Sequence, residues 1–374
     1  MSPTRYLVVA GARPNFMKIA PLLPALEARG AEVVLVHTGQ HYDAAMSDVF
    51  FAELDIRTPD VHLGVGSGGH ADQTARLLEA LAPVTVDCAP DALIVVGDVN
   101  STLAATLVAA KLGVPVAHVE AGLRSRDWSM PEEVNRVVTD RCSSWLLAPS
   151  EDAVQNLHDE GFVPAAVHLV GNVMVDTLLR RLDAARQRDV PARLGLDPGR
   201  YGVVTLHRPA NVDDDAVLAD LLGSLGEVAR LVELVLPAHP RTRPALERLG
   251  VPAGLRVVDP LGYLDFLSLQ AGAALALTDS GGIQEETTVL GVPCVTLRDT
   301  TERPVTVAEG TNVVVGRHRG RIVAAAAAAL AGEVPARRPA LWDGRAAERI
   351  AEVLATRPPV DPTTRPDDAA EGAP

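Results

Sequence analysis

In TDSGGIQEETTVLG, residues 278–291, a Ser-Gly-Gly turn opens a helical pattern, and Glu285 and Glu286 follow almost at once. Unpaired N–H groups at a helix start, backed by the helix dipole, favour an anion. A carboxylate one turn further on favours hydroxyl donors. A nucleoside diphosphate offers both. Its phosphate oxygens suit Ser280, Gly281 and Gly282, its ribose diol suits Glu286, and Arg303 in TTERP adds positive charge. GARPNFMK places Arg13 and Lys18 at the head of the first helix, with Pro14 fixing the turn. Two cations there suit phosphate, although surface charge on an amphipathic helix accounts for Lys18 better than for Arg13. HVEAGLRSRDWSMPEEVNR, residues 118–136, brings Glu120 out of an apolar strand and sets Glu132 and Glu133 near the same edge. Glu132 also reads as a first-turn carboxylate favoured by the dipole. Asp98 in VVGDVNSTLA is either a reactive carboxylate or the cap of the following helix. His207 in TLHRP is either a proton-handling group at a strand end or a satisfied structural histidine.

These residues need strands to carry them. Short Val-, Leu- and Ile-rich runs alternate with helical patterns, the signature of parallel βαβ units in an α/β protein. In the first half, residues 6–9, 32–37, 92–96 and 114–119 read as buried strands, with helices such as 17–28 and 101–112 between them. In the second half the strands are 203–206, 234–236, 256–258, 275–278, 294–297 and 312–315. Ligands of open parallel sheets bind beyond the carboxyl ends of the strands. Nearly all the residues above follow a strand, as do Gln40 with His41, His239 and Arg298. If the two sheets face each other, these residues line one interdomain cleft.

With 374 residues the chain exceeds the usual single-domain size. The expected division is a first domain over 1–176, a second over 177–340, a helix over 341–356 returning to the first, and a Pro-rich acidic tail over 357–374 that is disordered. LGVGSGGH, residues 63–70, matches the GxGxxG spacing of dinucleotide sites, but little apolar sequence precedes it and no acidic strand end follows at ~20 residues, so it reads as a flexible Gly/Ser loop. HVE at 118–120 lacks a third metal ligand.

Composition narrows the partners. Lys and Arg total 34 against 48 Asp and Glu, a net charge of −14, which argues against a nucleic-acid binder. Cys88, Cys142 and Cys294 are odd in number and far apart, with no disulfide framework, so a reducing cytoplasm fits best. The N-terminus lacks the pattern of a signal peptide, and no run is long and apolar enough to cross a membrane.

Taken together, RYLVVAGARPNFMKIAPLL, TGQHYD, VVGDVNSTLAATLVAAKLGVPVAHVEAGLRS, MPEEVNRVVTD, GNVMVDTL, TLHRPANVDD, LPAHP and TDSGGIQEETTVLGVPCVTLRDTTERPVTVAEGTN, in order and at preserved spacing, resemble the non-hydrolysing UDP-N-acetylglucosamine 2-epimerases. The resemblance implies a GT-B architecture of two Rossmann-like domains around a cleft, a homodimer, a UDP-sugar substrate and no cofactor. It places Asp98, Glu120, Glu132 and His207 at the family's catalytic positions, and Arg13, Lys18, Ser280, Gly281, Gly282, Glu286 and Arg303 at its nucleotide-sugar positions. Gln40 and His239 match positions linked to activation by a second substrate molecule, while Ala210 and Asp43 depart from common family residues. A modified UDP-hexosamine, such as a uronic acid, is an alternative substrate. A GT-B glycosyltransferase, a hydrolysing epimerase and a nucleotide-sugar sensor are the rival functions.

Overall fold

The computed structural model describes residues 3–39, 51–238 and 242–364. The chain forms two compact units, Met1–Thr177 with Ala340–Pro374, and Leu178–Pro339. Each unit is a parallel sheet flanked by helices.

In the first unit the strands are β1 Arg5–Ala10, β2 Glu32–His37, β3 Val61–His62, β4 Ala92–Val96, β5 Val116–Val119, β6 Trp145–Ala148 and β7 Val167–Leu169. They lie in the order 3-2-1-4-5-6-7, every pair parallel. β4, Ala-Leu-Ile-Val-Val, is buried at every position because helices cover both faces of the sheet. In the second unit β8 Tyr201–Thr205, β9 Glu233–Pro237, β10 Leu255–Val258, β11 Leu275–Thr278, β12 Cys294–Thr296 and β13 Asn312–Val314 run in the order 10-9-8-11-12-13. Read along the chain, this is the same 3-2-1-4-5-6 winding, the doubly wound nucleotide-binding order. Both units therefore have a switch point, between β1 and β4 and between β8 and β11.

Among the described residues, the helices of nine residues or more are α1 Arg13–Glu27, α2 His70–Cys88, α3 Asn100–Leu112, α4 Pro131–Arg141, α5 Glu151–Asp159, α6 Val173–Gln187, α7 Asp215–Val228, α8 Tyr263–Ala271, α9 Gly281–Leu290, α10 Arg319–Leu330 and α11 Ala346–Thr356. The boundary between the units falls inside α6. In the first unit, Leu77 and Leu81 of α2 and Ala104, Ala105 and Val108 of α3 pack on Leu7, Leu93 and Val95 of the sheet. In the second, Leu218, Leu221 and Leu225 of α7 and Ile322 and Ala326 of α10 cover Val204, Leu236 and Leu277. Burial of each Leu, Ile or Val among these contributes about 1.5–3 kcal/mol.

Four expectations need correction. The first-unit sheet also has β3, β6 and β7, of two, four and three residues, the first and last of them partly buried edge strands that each carry a histidine. The returning helix begins at Ala346 rather than 341, because Leu341 takes a left-handed φ of 60° and Asp176 accepts the amides of Ala346 and Ala347 at 3.1 and 2.8 Å. Residues 357–364, assigned to the tail, are held against the first unit. The Val360 N–H donates to the Ser144 carbonyl at 3.3 Å, and its side chain joins the cluster around Leu146 and Leu157. Residues 365–374 lie outside the described residues. The Gly-rich loop after β3 is pinned: Val65 and Gly66 amides donate to Thr38 and Gly39 carbonyls, and the Gln73 amide donates to the Gly66 carbonyl at 2.8 Å. No helix among the described residues is long and apolar enough to cross a membrane.

Candidate active site

At the first switch point Asn15 ties the two strand ends together. Its Oδ1 accepts from the amides of Gly11 and Ala12 at 3.0 and 3.1 Å, and its Nδ2 donates to the Val96 carbonyl at 2.9 Å. This sets the start of α1 beside the end of β4. One turn into α1, Lys18 forms a buried ion pair with Glu120. Glu120 follows β5 with φ at 77°, a conformation that costs a non-glycine residue about 1–3 kcal/mol and survives only where the surroundings impose it. Its amide donates to the Leu147 carbonyl at 3.0 Å. Gly97 lies beneath the pair with φ at 68°; a side chain there would strike the Lys18 ammonium and come within 3.3 Å of Glu120 Oε2.

Asp98, the next residue, does not cap α3, whose N-cap is Val99. Its carboxylate instead accepts from Arg136 Nη2 at 2.6 Å, and Asn135 Nδ2 donates to its carbonyl at 2.8 Å. Arg136 also pairs with Glu133 at 2.7 Å. Of the two adjacent carboxylates in the first turn of α4, Glu133 rather than Glu132 is buried. It accepts from the amides of Ser125 and Arg126 at 2.9 and 2.8 Å, which fixes the loop before the helix. Burial opposes its ionisation, but these amides, Arg136 and the Ser125 hydroxyl together hold its carboxyl below the ordinary range. Glu132 sits in the first turn of α4 and is half-buried.

Behind this edge lies a fully buried pair that the sequence did not flag. His118 Nδ1 meets Asp140 Oδ1 at 2.6 Å, and Nε2 meets the Gly97 carbonyl at 2.9 Å. Both ring nitrogens thus face protein acceptors, so neither is presented to a metal. Arg124 Nη1 pairs with Asp140 Oδ2 at 2.8 Å. Burial works against the Asp140 charge, yet His118 and Arg124 hold its pKa below normal.

At the second switch point His207 follows β8 and Asp279 follows β11. His207 Nδ1 lies 3.0 Å from Asp279 Oδ1, the His207 side chain is 44% exposed and Asp279 is fully buried. Ser280 is the N-cap residue of α9, and Gly281 and Gly282 form its first turn. The bare Cα of Gly281 leaves room for Glu302, since a Cβ there would come within 2.5 Å of Glu302 Oε1. Arg298 Nη2 and Arg208 Nη2 pair with Glu302 at 2.8 and 3.6 Å. Arg303 Nε pairs with Glu285 at 2.7 Å. Glu286 is left with a different environment. Burial, then the neighbouring Glu285, push its carboxyl up to about 8, only partly offset by a hydrogen bond from Tyr263.

The first unit thus brings Lys18, Glu120 and the Gly97–Asp98 turn together, and the second gathers His207 and the Ser280–Gly282 turn, with Glu286 and Arg303 further along α9 and its neighbouring loop. The backbone of Arg13 is the first residue of α1; its side chain, together with Gln40, His41, Asp43 and His239, lies outside the described residues. Asp279 and Arg136 were missed. Asp279 stood in the TDSGG motif directly after a strand, where the strand-end rule applied to it as much as to Ser280. Arg136 was legible as the i+3 neighbour of Glu133 on one helix face.

A family model described as UDP-N-acetylglucosamine 2-epimerase matches residues 24–355. The chain belongs to that family. Among its relatives, the UDP-N-acetylglucosamine 2-epimerase of Methanocaldococcus jannaschii is 40% identical over 358 residues, covering 93% of this chain and 98% of the relative. The UDP-2,3-diacetamido-2,3-dideoxy-D-glucuronate 2-epimerase of Pseudomonas aeruginosa is 42% identical over 355 residues, covering 94% and 99%. The crystal structure of the M. jannaschii enzyme in complex with UDP-GlcNAc and UDP superposes with a TM-score of 0.86 at 39% identity, covering 94% of this chain and 99% of that one. Family members are epimerases, and the two parallel-sheet units described above are the GT-B type of fold.

Proposed function

We propose that this protein interconverts UDP-N-acetylglucosamine and UDP-N-acetylmannosamine by eliminating UDP to a 2-acetamidoglucal, protonating C2 from the opposite face and returning UDP to C1. The C2 hydrogen of a hexosamine is not acidic, because no carbonyl adjoins it. Departure of UDP makes C1 oxocarbenium-like and acidifies the C2 hydrogen. The helix start at Ser280, Gly281 and Gly282, with Arg13 and Arg303, stabilises the departing diphosphate where its charge develops. Asp98, Glu120 and Glu132 act at the sugar, and His207 acts at the diphosphate or leaving oxygen. Protonation from the opposite face requires a second proton-handling group, which a set of carboxylates supplies; each such group typically contributes about 10²–10⁴-fold. Glu286 receives the ribose diol, and Lys18 serves the nucleotide-sugar end through its pairing with Glu120.

The observation that carries this reading is Glu120, buried, paired with a buried lysine and held in a strained backbone conformation at a strand end, within a chain that spans nearly the whole length of epimerase relatives. The test is incubation with UDP-N-acetylglucosamine alone in D₂O. Deuterium at C2 without any acceptor supports it, and absence of exchange in a folded, UDP-binding preparation refutes it. Accumulation of free UDP would identify a hydrolysing enzyme instead.

The 42% identity to an epimerase of a diacetamido uronate supports a second reading, a modified UDP-hexosamine as substrate. A panel of UDP-hexosamines altered at C3 and C6, compared by kcat/KM, separates the two. We further propose a cytoplasmic homodimer. Free thiols at Cys88, Cys142 and Cys294 agree with a reducing compartment, and sedimentation of the purified chain tests the assembly.

A further inference from the structure

Asp279 has no assigned role, yet it is the most heavily hydrogen-bonded carboxylate of its switch point. It is fully buried. Its two oxygens accept from the backbone amides of His207 at 3.2 and 3.1 Å and of Arg208 at 3.0 Å, and from Asn211 Nδ2 at 3.1 Å. The remaining approach is that of His207 Nδ1 at 3.0 Å. A carboxylate facing so many donors acts as an acceptor, so the hydrogen between it and the ring belongs to Nδ1. Burial opposes the charge of Asp279, but the His207 ring, the Arg208 amide and the Asn211 amide outweigh it and hold the carboxyl below its ordinary range.

The backbone contacts add a second constraint. The same carboxylate that receives the ring also clamps the amides of the residue that bears the ring and of its neighbour. Position and orientation of the imidazole are therefore set by one buried group at the end of the adjacent strand. With Nδ1 turned inward on a half-exposed side chain, Nε2 is left as the reactive nitrogen.

We infer that Asp279 is a positioning residue for His207: it keeps the hydrogen on Nδ1, so that Nε2 alone gives and takes the proton exchanged with a substrate oxygen. The inference rests on the role proposed above for His207. Proton balance is simple. One proton moves between Nε2 and the oxygen, the Nδ1 hydrogen stays, and Asp279 remains ionised throughout. A histidine oriented by a buried carboxylate works in this way in the hydrolase triads, where replacing the carboxylate by its amide traps the wrong tautomer.

Two measurements test it. Long-range ¹H–¹⁵N spectra of the full chain labelled in its histidines, with the His207 signal assigned by its loss in H207Q, are expected to show the Nδ1–H tautomer when the ring is neutral. This needs no turnover, so it stands or falls independently of the epimerase reading. D279N is expected to lower kcat for C2 exchange by about 10²–10⁴-fold with the affinity for UDP within threefold of wild type. Combined with H207Q it is expected to cost little more than H207Q alone, because residues acting as a unit are not additive. An Nε2–H tautomer in the wild type, D279N activity within threefold of wild type, or a D279N penalty undiminished in the H207Q background would each overturn the inference. If D279N fails to fold, the tautomer measurement on the wild type decides.

Discussion

The two units share a winding and a switch point, yet they differ in how one carboxylate near the candidate site is held. In the first unit Glu120 and Asp98 each have a cation partner within the protein, Lys18 and Arg136. In the second unit Arg303 pairs with Glu285 of α9, and burial pushes the next carboxyl, Glu286, up to about 8. One edge presents charge that is already matched. The other presents helix N–H groups suited to an incoming anion, flanked by arginines already paired with Glu285 and Glu302, beside an acid that burial drives toward its neutral form. The shared topology thus supplies two platforms, and the residues after each strand decide what each platform does.

The largest effect that would break this comparison comes from the matched carboxylates. E120Q and D98N are each expected to slow C2 exchange by about 10²–10⁴-fold while UDP still binds, as followed by isotope exchange and calorimetry. Wild-type exchange in both would remove the first unit from the chemistry. Next are the buried pairs themselves. K18M leaves Glu120 buried beside an apolar side chain and R303M does the same to Glu285, and removing one member of a buried pair costs about 3–5 kcal/mol. All three tryptophans belong to the first unit, so fluorescence reports K18M in urea and far-ultraviolet circular dichroism reports R303M. Unchanged midpoints would mean that the ion pairs do not hold their units together.

Glu286 gives a smaller and more diagnostic effect. Its folded pKa of about 8 lies above the ordinary 4.5, so between these values the folded protein holds a proton that the unfolded chain has released. Stability therefore falls as pH rises from about 4.5 to about 8, with a limiting slope of about 1.4 kcal/mol per unit from this group, and levels off above. E286Q is expected to flatten that slope in urea titrations across the window; an equal slope in variant and wild type would refute the assignment. At the bottom of the scale, R248A breaks only the exposed pair with Asp215 and is expected to leave both the urea midpoint and C2 exchange unchanged.

Much of the fold was legible. Buried strands such as 92–96 and 275–278 coincide with observed elements, because a parallel strand covered on both faces reads as a near-continuous apolar run. The strands that escaped were β3, β6 and β7; β3 and β7 are edge strands of two and three residues, only partly buried and each carrying a histidine, so neither reads as an apolar run. At the site, residues that follow strands could be marked as candidates. Which carboxylate of the MPEEVNR stretch turns inward could not, since Glu132 and Glu133 are adjacent and differ only by a helical rotation of about 100° relative to the sheet.

The order of residues alone determined the α/β class, the parallel βαβ plan of both halves and the list of chemically able side chains, since burial pattern and turn chemistry are written locally. Only the tertiary structure decided the pairings: Lys18 with Glu120, Arg136 with both Asp98 and Glu133, Asp279 beneath His207. Each joins groups distant in the chain or separated by a helical turn. Desolvation and hydrogen bonding at those meeting points, rather than residue type, set the charge and orientation on which the proposed chemistry depends.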